Sequence, residues 1–336
     1  MKALSQRNRL LDAMKAIAAL GVIFVHFPFP GEIGRICASF GTVGVIFFFL
    51  ISGYQSHCAD PADSGKILRR FKRNLLLIAA VIPIFVIYTV VKQIALGTAS
   101  DWVATYLLNP ITYLRLIVLG DLDFINCGHL WYMVAMLYGY LIIYLMEKFR
   151  LHKLFYIALP VLLLLRASME TYTNSFSHFS WFDWHFSGNF LVGALPIMLL
   201  GSFISVNEEK LVALGTRVLL PAAAVMMSLV FLTVNIKLLG LDLSQPFKIA
   251  AATAFFMLCL TVTLKGPATI LDRIGRHLTL HIYIWHRIVG DLFIDLLTYV
   301  RAEQWVYDWC LPVATIAVSL LISLFFARIT ARKRSA

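Results

Sequence analysis

Charge is what this chain has least of. Only 14% of its 336 residues are Asp, Glu, Lys or Arg, against 60% hydrophobic, and that balance excludes a soluble globular domain. Acidic residues are the scarcer sign, 18 against 29 basic. No Walker loop, dinucleotide fingerprint or zinc motif is present, and Cys37, Cys58, Cys127, Cys259 and Cys310 stand without metal-ligand spacing, so no metal site is expected. Cys37 and Cys127 fall on the expected outer side, where an oxidising environment permits pairing. There is no internal repeat and no separate soluble domain. Pro28-Phe29-Pro30-Gly31 follows the first apolar stretch in place of a small-x-small cleavage site, so that stretch reads as an uncleaved span.

What is present is a series of apolar stretches, each near the roughly 20 residues a membrane crossing needs. They lie at 10–29, 42–58, 74–95, 104–120, 129–146, 154–168, 189–206, 218–236, 247–265, 278–298 and 309–327. Asn109, Pro110 and Arg115 interrupt 104–120, which reads as a re-entrant or interfacial helix. The expectation is an all-α, polytopic integral membrane protein of about ten spans, one transmembrane domain over residues 1–336. With ten spans the basic clusters Lys66–Arg73, Lys148–Lys153, Lys265–Arg276 and Arg328–Arg334 share a side with Lys2, Arg7 and Arg9, which puts both termini in the cytoplasm. The net charge of +11 then belongs to loops facing anionic headgroups and points to a lipid bilayer, not to nucleic acid.

The first stretch carries Asp12, Lys15 and His26, and an ionisable group inside a span raises a functional question. Lys15 and His26 are eleven positions apart, which returns to within about 20° of one helix face and separates them by roughly 16 Å. They suit the two ends of a long, narrow ligand. A snorkelling Lys15 and a hydrogen-bonded packing His26 explain the same pattern. Asp12 lies three residues before Lys15, within pairing reach. Lys66-Ile67-Leu68-Arg69-Arg70-Phe71-Lys72-Arg73 offers five cations in eight positions, a phosphate site or a topology determinant. In the next span the small pair Ser52-Gly53, followed by Tyr54, permits close backbone approach.

His129 and Trp131 stand at an expected outer boundary, where Trp is at home. The polar and aromatic stretch from Tyr172 to His185 suits a polyhydroxylated acceptor, or is an aromatic belt with a solvated loop. Asn189 opens a Gly- and Pro-punctuated run to Gly201. His281 and His286 are five apart and point about 140° away from each other, so they cannot form a helical metal pair.

These residues together resemble the membrane acyltransferase-3 family. The resemblance is carried by Leu11-Asp12-Ala13-Met14-Lys15 with His26, by Phe47 to Tyr54, by Arg70-Phe71-Lys72-Arg73, by His129-Leu130-Trp131-Tyr132, by Asn189 to Gly201, and by Ile282-Tyr283-Ile284-Trp285-His286. The blocks stand in family order over nearly the whole chain. The branch is similar to the membrane domains of vancomycin-resistance serine racemases, although no racemase domain follows here.

The resemblance implies transfer of an acyl group, commonly acetyl from acetyl-CoA, onto a hydroxyl or amine of a cell-surface glycan or related envelope acceptor at the cytoplasmic membrane. It implies His26 as catalytic residue, with Lys15, Arg70, Arg73 and neighbouring Arg69 handling the donor. His129, Trp131, Tyr54, Asn189 and His286 are the expected acceptor or pocket residues. The family has Arg where this chain has Lys15, which keeps the charge and loses the bidentate fork. No permanently bound cofactor is expected, acyl-CoA being a substrate. His26 acts as general base or forms an acyl-histidine. A transporter or flippase for a small polar or envelope-precursor substrate is the alternative reading.

Overall fold

The computed structural model describes residues 8–173, 189–233, 237–238, 241–242 and 244–335, and they are almost entirely helical. The described exceptions of regular structure are two-residue strands, β1 (Lys237–Leu238) and β2 (Leu241–Asp242), paired antiparallel. The acceptor-like loop residues Asn174 to His185 lie outside the described residues.

Helix α1 (Arg9–His26) begins where the Asn8 side chain accepts a hydrogen bond from the Leu11 N–H at 2.9 Å, a standard cap. Phe27-Pro28 ends it, since proline cannot continue the ladder. α2 (Gly31–Tyr54) starts well before the expected residue 42. Its charged first turn is made helical by Arg35, whose Nε–H donates to Glu32 at 2.8 Å and whose Nη1–H donates to the Phe231 carbonyl at 2.9 Å. α3 (Gly65–Ala95) likewise takes in the basic run at its start, so those cations sit on a helix, not in a loop.

The stretch 104–120 is broken, as its sequence suggested. α4 (Ala99–Trp102) runs into a π turn (Val103–Leu107), and α5 (Pro110–Leu119) leaves at a bend of 62°. Asn109 caps α5, accepting from the Ile111 N–H at 3.0 Å, with Pro110 in the first turn, the position that suits proline. Then follow α6 (Trp131–Lys148), α7 (His152–Thr173), a π turn (Phe190–Ala194) leading into α8 (Leu195–Val206), and α9 (Glu208–Val212). The chain ends with α10 (Gly215–Thr233), α11 (Ser244–Thr261), α12 (Ile270–His277), α13 (Thr279–Tyr299), and a π turn (Val306–Cys310) continuing as α14 (Leu311–Ser335).

Among the described residues, six helical segments are long and apolar enough to cross a membrane, or seven if the bent pair counts as one. α1 and α13 fall outside that set because of their charge: Arg9, Asp12 and Lys15 in one, Arg287, Asp291 and Asp295 in the other. Phe190–Val206 is apolar but shorter. Large hydrophobic side chains point outward, as a lipid solvent requires. On α7 the outward stripe is Leu154, Ile157, Val161 and Leu164; on α3 it is Ile84, Ile87, Val91 and Ile94. Both recur at helical spacing on one face.

The chain divides into two compact units. The first comprises residues up to Phe48, 208–236 and 246 onward. Its core packs Ala19, Ile23 and Phe27 of the first span region against Leu278, Ile282 and Leu311. Gly275 lets α12 meet α1 backbone to backbone, since a Cβ there would overlap the Asp12 carbonyl. The Arg9 Nε–H donates to Asp272 at 2.8 Å, and its Nη1–H donates to the Lys265 and Gly266 carbonyls at 3.0 and 2.8 Å. Asp272 also forms a reciprocal capping box with Thr269. Burial alone raises the Asp272 carboxyl. The Thr269 N–H, the hydrogen bonds from Arg9 and the Thr269 hydroxyl, and the Arg9 charge outweigh burial and hold it below the usual carboxylate range.

The second unit comprises Phe49–Asn207 and Lys237–Gln245. Here the Ser52-Gly53 pair performs the close approach its sequence suggests: a Cβ on Gly53 would overlap the Met198 carbonyl, and one on Gly201 the Leu50 carbonyl. The end of α2 and α8 are therefore in backbone contact.

Candidate functional site

In the first unit, the last residue of α1 is His26, half-buried. Its ring centroid lies 5.3 Å from that of His286, a fully buried residue of α13. The His286 Nδ1–H donates to the Tyr283 carbonyl at 2.8 Å, with the Ile282 carbonyl at 3.1 Å. That bond fixes the ring orientation and leaves Nε2 as the lone-pair nitrogen of the neutral form. The next residue, Arg287, places Nη1 at 3.5 Å from His26 Nδ1 and donates from Nε to Asp291 at 3.1 Å. Its guanidinium lies over the Phe27 ring, 5.7 Å from the centroid. Gly290 makes room for that ring, since a Cβ there would overlap it.

A guanidinium has donors and no acceptor, so His26 Nδ1 is the accepting nitrogen in this contact. At 3.5 Å the bond is at the outer limit of useful length. The site thus holds an imidazole, a guanidinium beside it, and a second imidazole of defined orientation. Arg287 and Asp291 did not emerge from the sequence. The signal was there, since both are ionisable residues inside an apolar stretch. His281 turns away, stacking on Phe326 with centroids 5.8 Å apart, as the spacing of the two histidines requires. Lys15 pairs with Asp12 at 2.7 Å, and the continuous helix keeps it roughly 16 Å from His26.

The second unit holds the other expected site residues. Arg70 and Asn74, one turn apart on α3, face inward, whereas Arg69 and Arg73 are exposed. Arg70 Nη1 and Asn74 Nδ2 are buried without a hydrogen-bond partner among the described residues. Buried donors of this kind are costly unless something accepts from them. Cys58, just before α3, reports the neighbourhood. Burial and then the Glu147 carboxylate push its thiol up, and Lys66 and Arg70 pull it the other way.

Tyr54 is buried at the end of α2. His129 is buried with its ring 5.5 Å from that of Phe85, and Trp131, half-buried, lies 6.1 Å from Phe49. Asn189 caps the helix entry, accepting from the Leu191 and Val192 N–H groups at 2.9 and 3.0 Å. All five cysteines are free. Among the described residues one group converges metal-ligating atoms: His57, Glu147 and His152.

Long apolar helices with outward hydrophobic faces and ionisable groups within them define a multi-pass membrane protein. The acyltransferase-3 family model, described as an acyltransferase domain, matches residues 8–328, and the chain belongs to that family. Membrane acyl transfer is its general activity. No curated protein and no solved structure matches it significantly.

Proposed function

We propose that this protein moves an acyl group, acetyl foremost, from cytoplasmic acyl-CoA to a hydroxyl or amine of a cell-surface glycan or related envelope acceptor, with His26 as general base. The observation that carries the reading is His26 Nδ1 standing 3.5 Å from the Arg287 guanidinium and beside the oriented His286, in a chain of the acyltransferase family. In the reaction, His26 takes the acceptor proton as the acceptor oxygen or nitrogen attacks the thioester carbonyl carbon. The carbon–sulfur bond breaks, and the CoA thiolate leaves with the proton that His26 returns. Arg287 supplies positive charge where the carbonyl oxygen becomes negative, the preorganised stabilisation on which acyl transfer depends.

Arg70, with Arg69 and Arg73, binds donor phosphates, and the unmatched donors of Arg70 and Asn74 support that role. Lys15, its charge balanced by Asp12, lies along the donor path in α1. His129, Trp131, Tyr54 and Asn189 serve the acceptor. Ten crossings of the cytoplasmic membrane, with both termini inside, follow if α1, Phe190–Val206, α11 and α13 join the six clear spans, as one transmembrane domain.

The test is acetyl-CoA binding and turnover by protein purified in detergent, wild type beside His26→Ala and Arg70→Ala. His26→Ala is expected to bind donor and lose turnover, and Arg70→Ala to raise the donor KM. Wild type that neither binds nor consumes any acyl-CoA overturns the reading in favour of a transport function.

A further inference from the structure

Glu147 stands in the last turn of α6, in an awkward place. Its carboxylate is 0% exposed, and a buried charge needs a cation or strong hydrogen bonds. Two imidazoles meet it. His57 Nδ1 lies 3.1 Å from Oε1, and His152 Nε2 lies 3.0 Å from Oε2. The two contacts differ in kind. The first has hydrogen-bond geometry. In the second, neither His152 Nε2 nor Glu147 Oε2 makes an aligned hydrogen bond among the described residues.

The two rings stand at 81°, centroids 5.9 Å apart, so their nitrogens converge while the rings stay out of stacking contact. One ligand atom from each of the three residues lies within 4.8 Å of the others. Ligands about 2.0–2.2 Å from a tetrahedral ion stand roughly 3.3–3.6 Å from one another, which small side-chain rotations reach from here.

The backbone is also shaped for this convergence. Between α6 and α7, Arg150 adopts φ +56°, a left-handed conformation disfavoured for a residue with a Cβ. The Leu151 N–H donates to the Met146 carbonyl at 2.9 Å, and the Arg150 N–H to that of Glu147 at 3.4 Å. This is a Schellman closure without its usual glycine, and it returns His152 to the carboxylate five positions earlier. From the other side, Ser56 Oγ–H donates to the Ser52 carbonyl at 2.6 Å and holds the segment carrying His57.

We propose that His57 Nδ1, the Glu147 carboxylate and His152 Nε2 bind one divalent transition-metal ion of the zinc class, with water completing the coordination. Two nitrogens and one carboxylate suit zinc and its first-row neighbours better than magnesium or calcium. The ion staples the segment after α2 to the α6–α7 turn, immediately before α3 and its basic run. No acyl-transfer step is involved, so the proposal stands or falls independently of the donor chemistry.

The experiment uses the full chain without a polyhistidine tag, purified in detergent, stripped with EDTA and titrated with Zn²⁺ and with Co²⁺. Metal content after dialysis, the cobalt absorption spectrum and the melting temperature are read. Wild type is expected to retain one zinc per chain and to melt higher with zinc than without. His57→Gln and His152→Gln, both at partly exposed positions, are expected to lose at least about tenfold in affinity and the zinc-dependent rise in melting temperature. Wild type without saturable binding at micromolar zinc overturns the proposal, and this measurement stands even if a variant fails to fold. Equal zinc binding by a folded His57→Gln/His152→Gln double variant overturns it as well.

Discussion

Replacing Arg287 by Met removes the charge beside His26 and keeps the side-chain length. It also removes a cationic partner of Asp291, whose side chain is 10% exposed while that of Arg287 is 34% exposed. Breaking a fully buried pair costs about 3–5 kcal/mol; an exposed one contributes about 1 kcal/mol or less. This half-open pair falls between, at about 1–2 kcal/mol. Loss of a preorganised donor at a developing oxyanion removes about 10²–10³ in kcat. The two effects separate in the double variant Arg287→Met/Asp291→Asn, which removes the carboxylate charge together with the cation. Melting temperatures in detergent should show the single variant destabilised and the double variant largely recovered. Acetyl-CoA turnover should stay at least about a hundredfold low in both, with the donor KM little changed. A double variant that recovers turnover to within a few-fold of wild type would falsify the role given to Arg287, reducing it to a partner of Asp291.

Two further outcomes are expected. Asn189→Ala should cost about 1 kcal/mol through the lost cap, visible as a lower melting temperature, and should raise the acceptor KM; a lower melting temperature with acceptor KM unchanged would leave Asn189 a helix cap alone. Asp272 has its pKa depressed in the folded state, so its contribution is complete above the ordinary carboxylate value near 4 and fades as pH falls below it. Acid unfolding of wild type beside Asp272→Asn checks this, because the gap between their stabilities should narrow below about pH 4 and stay constant above it. A gap that is constant throughout acid titration refutes it.

Local rules carried much of the fold. The break at Asn109-Pro110, the close approach at Ser52-Gly53 and the Asp12–Lys15 pair were each legible because a few neighbouring residues decide them. Helix starts were less so: the basic run of α3 and the Glu32–Arg35 turn of α2 look like loop by charge, yet both are helix, the second supported by the Glu32–Arg35 pair and a distant Phe231 carbonyl. At the site, His26 and His286 stood out as histidines in apolar surroundings. Arg287 sat next to one of them and was overlooked, because its meaning comes from His26, 261 positions away in sequence. Arg70 and Arg73 look alike in sequence, and only the packing of α3 turns one inward and leaves the other exposed. His57 is separated from Glu147 by 90 positions, so no spacing rule joins them.

The outward stripe of α7 answers to a solvent and not to a partner. Leu154, Ile157, Val161 and Leu164 touch lipid, which asks for oiliness and length and is indifferent to shape. Leu, Ile, Val and Phe are interchangeable currency on such a face, whereas Leu159, buried on the same helix, must fit the side chains it meets. Two chains with this fold can therefore differ at most of their lipid-facing positions without any change of architecture. A few glycines, prolines and ionisable groups inside carry the likeness, and they are a small fraction of the letters.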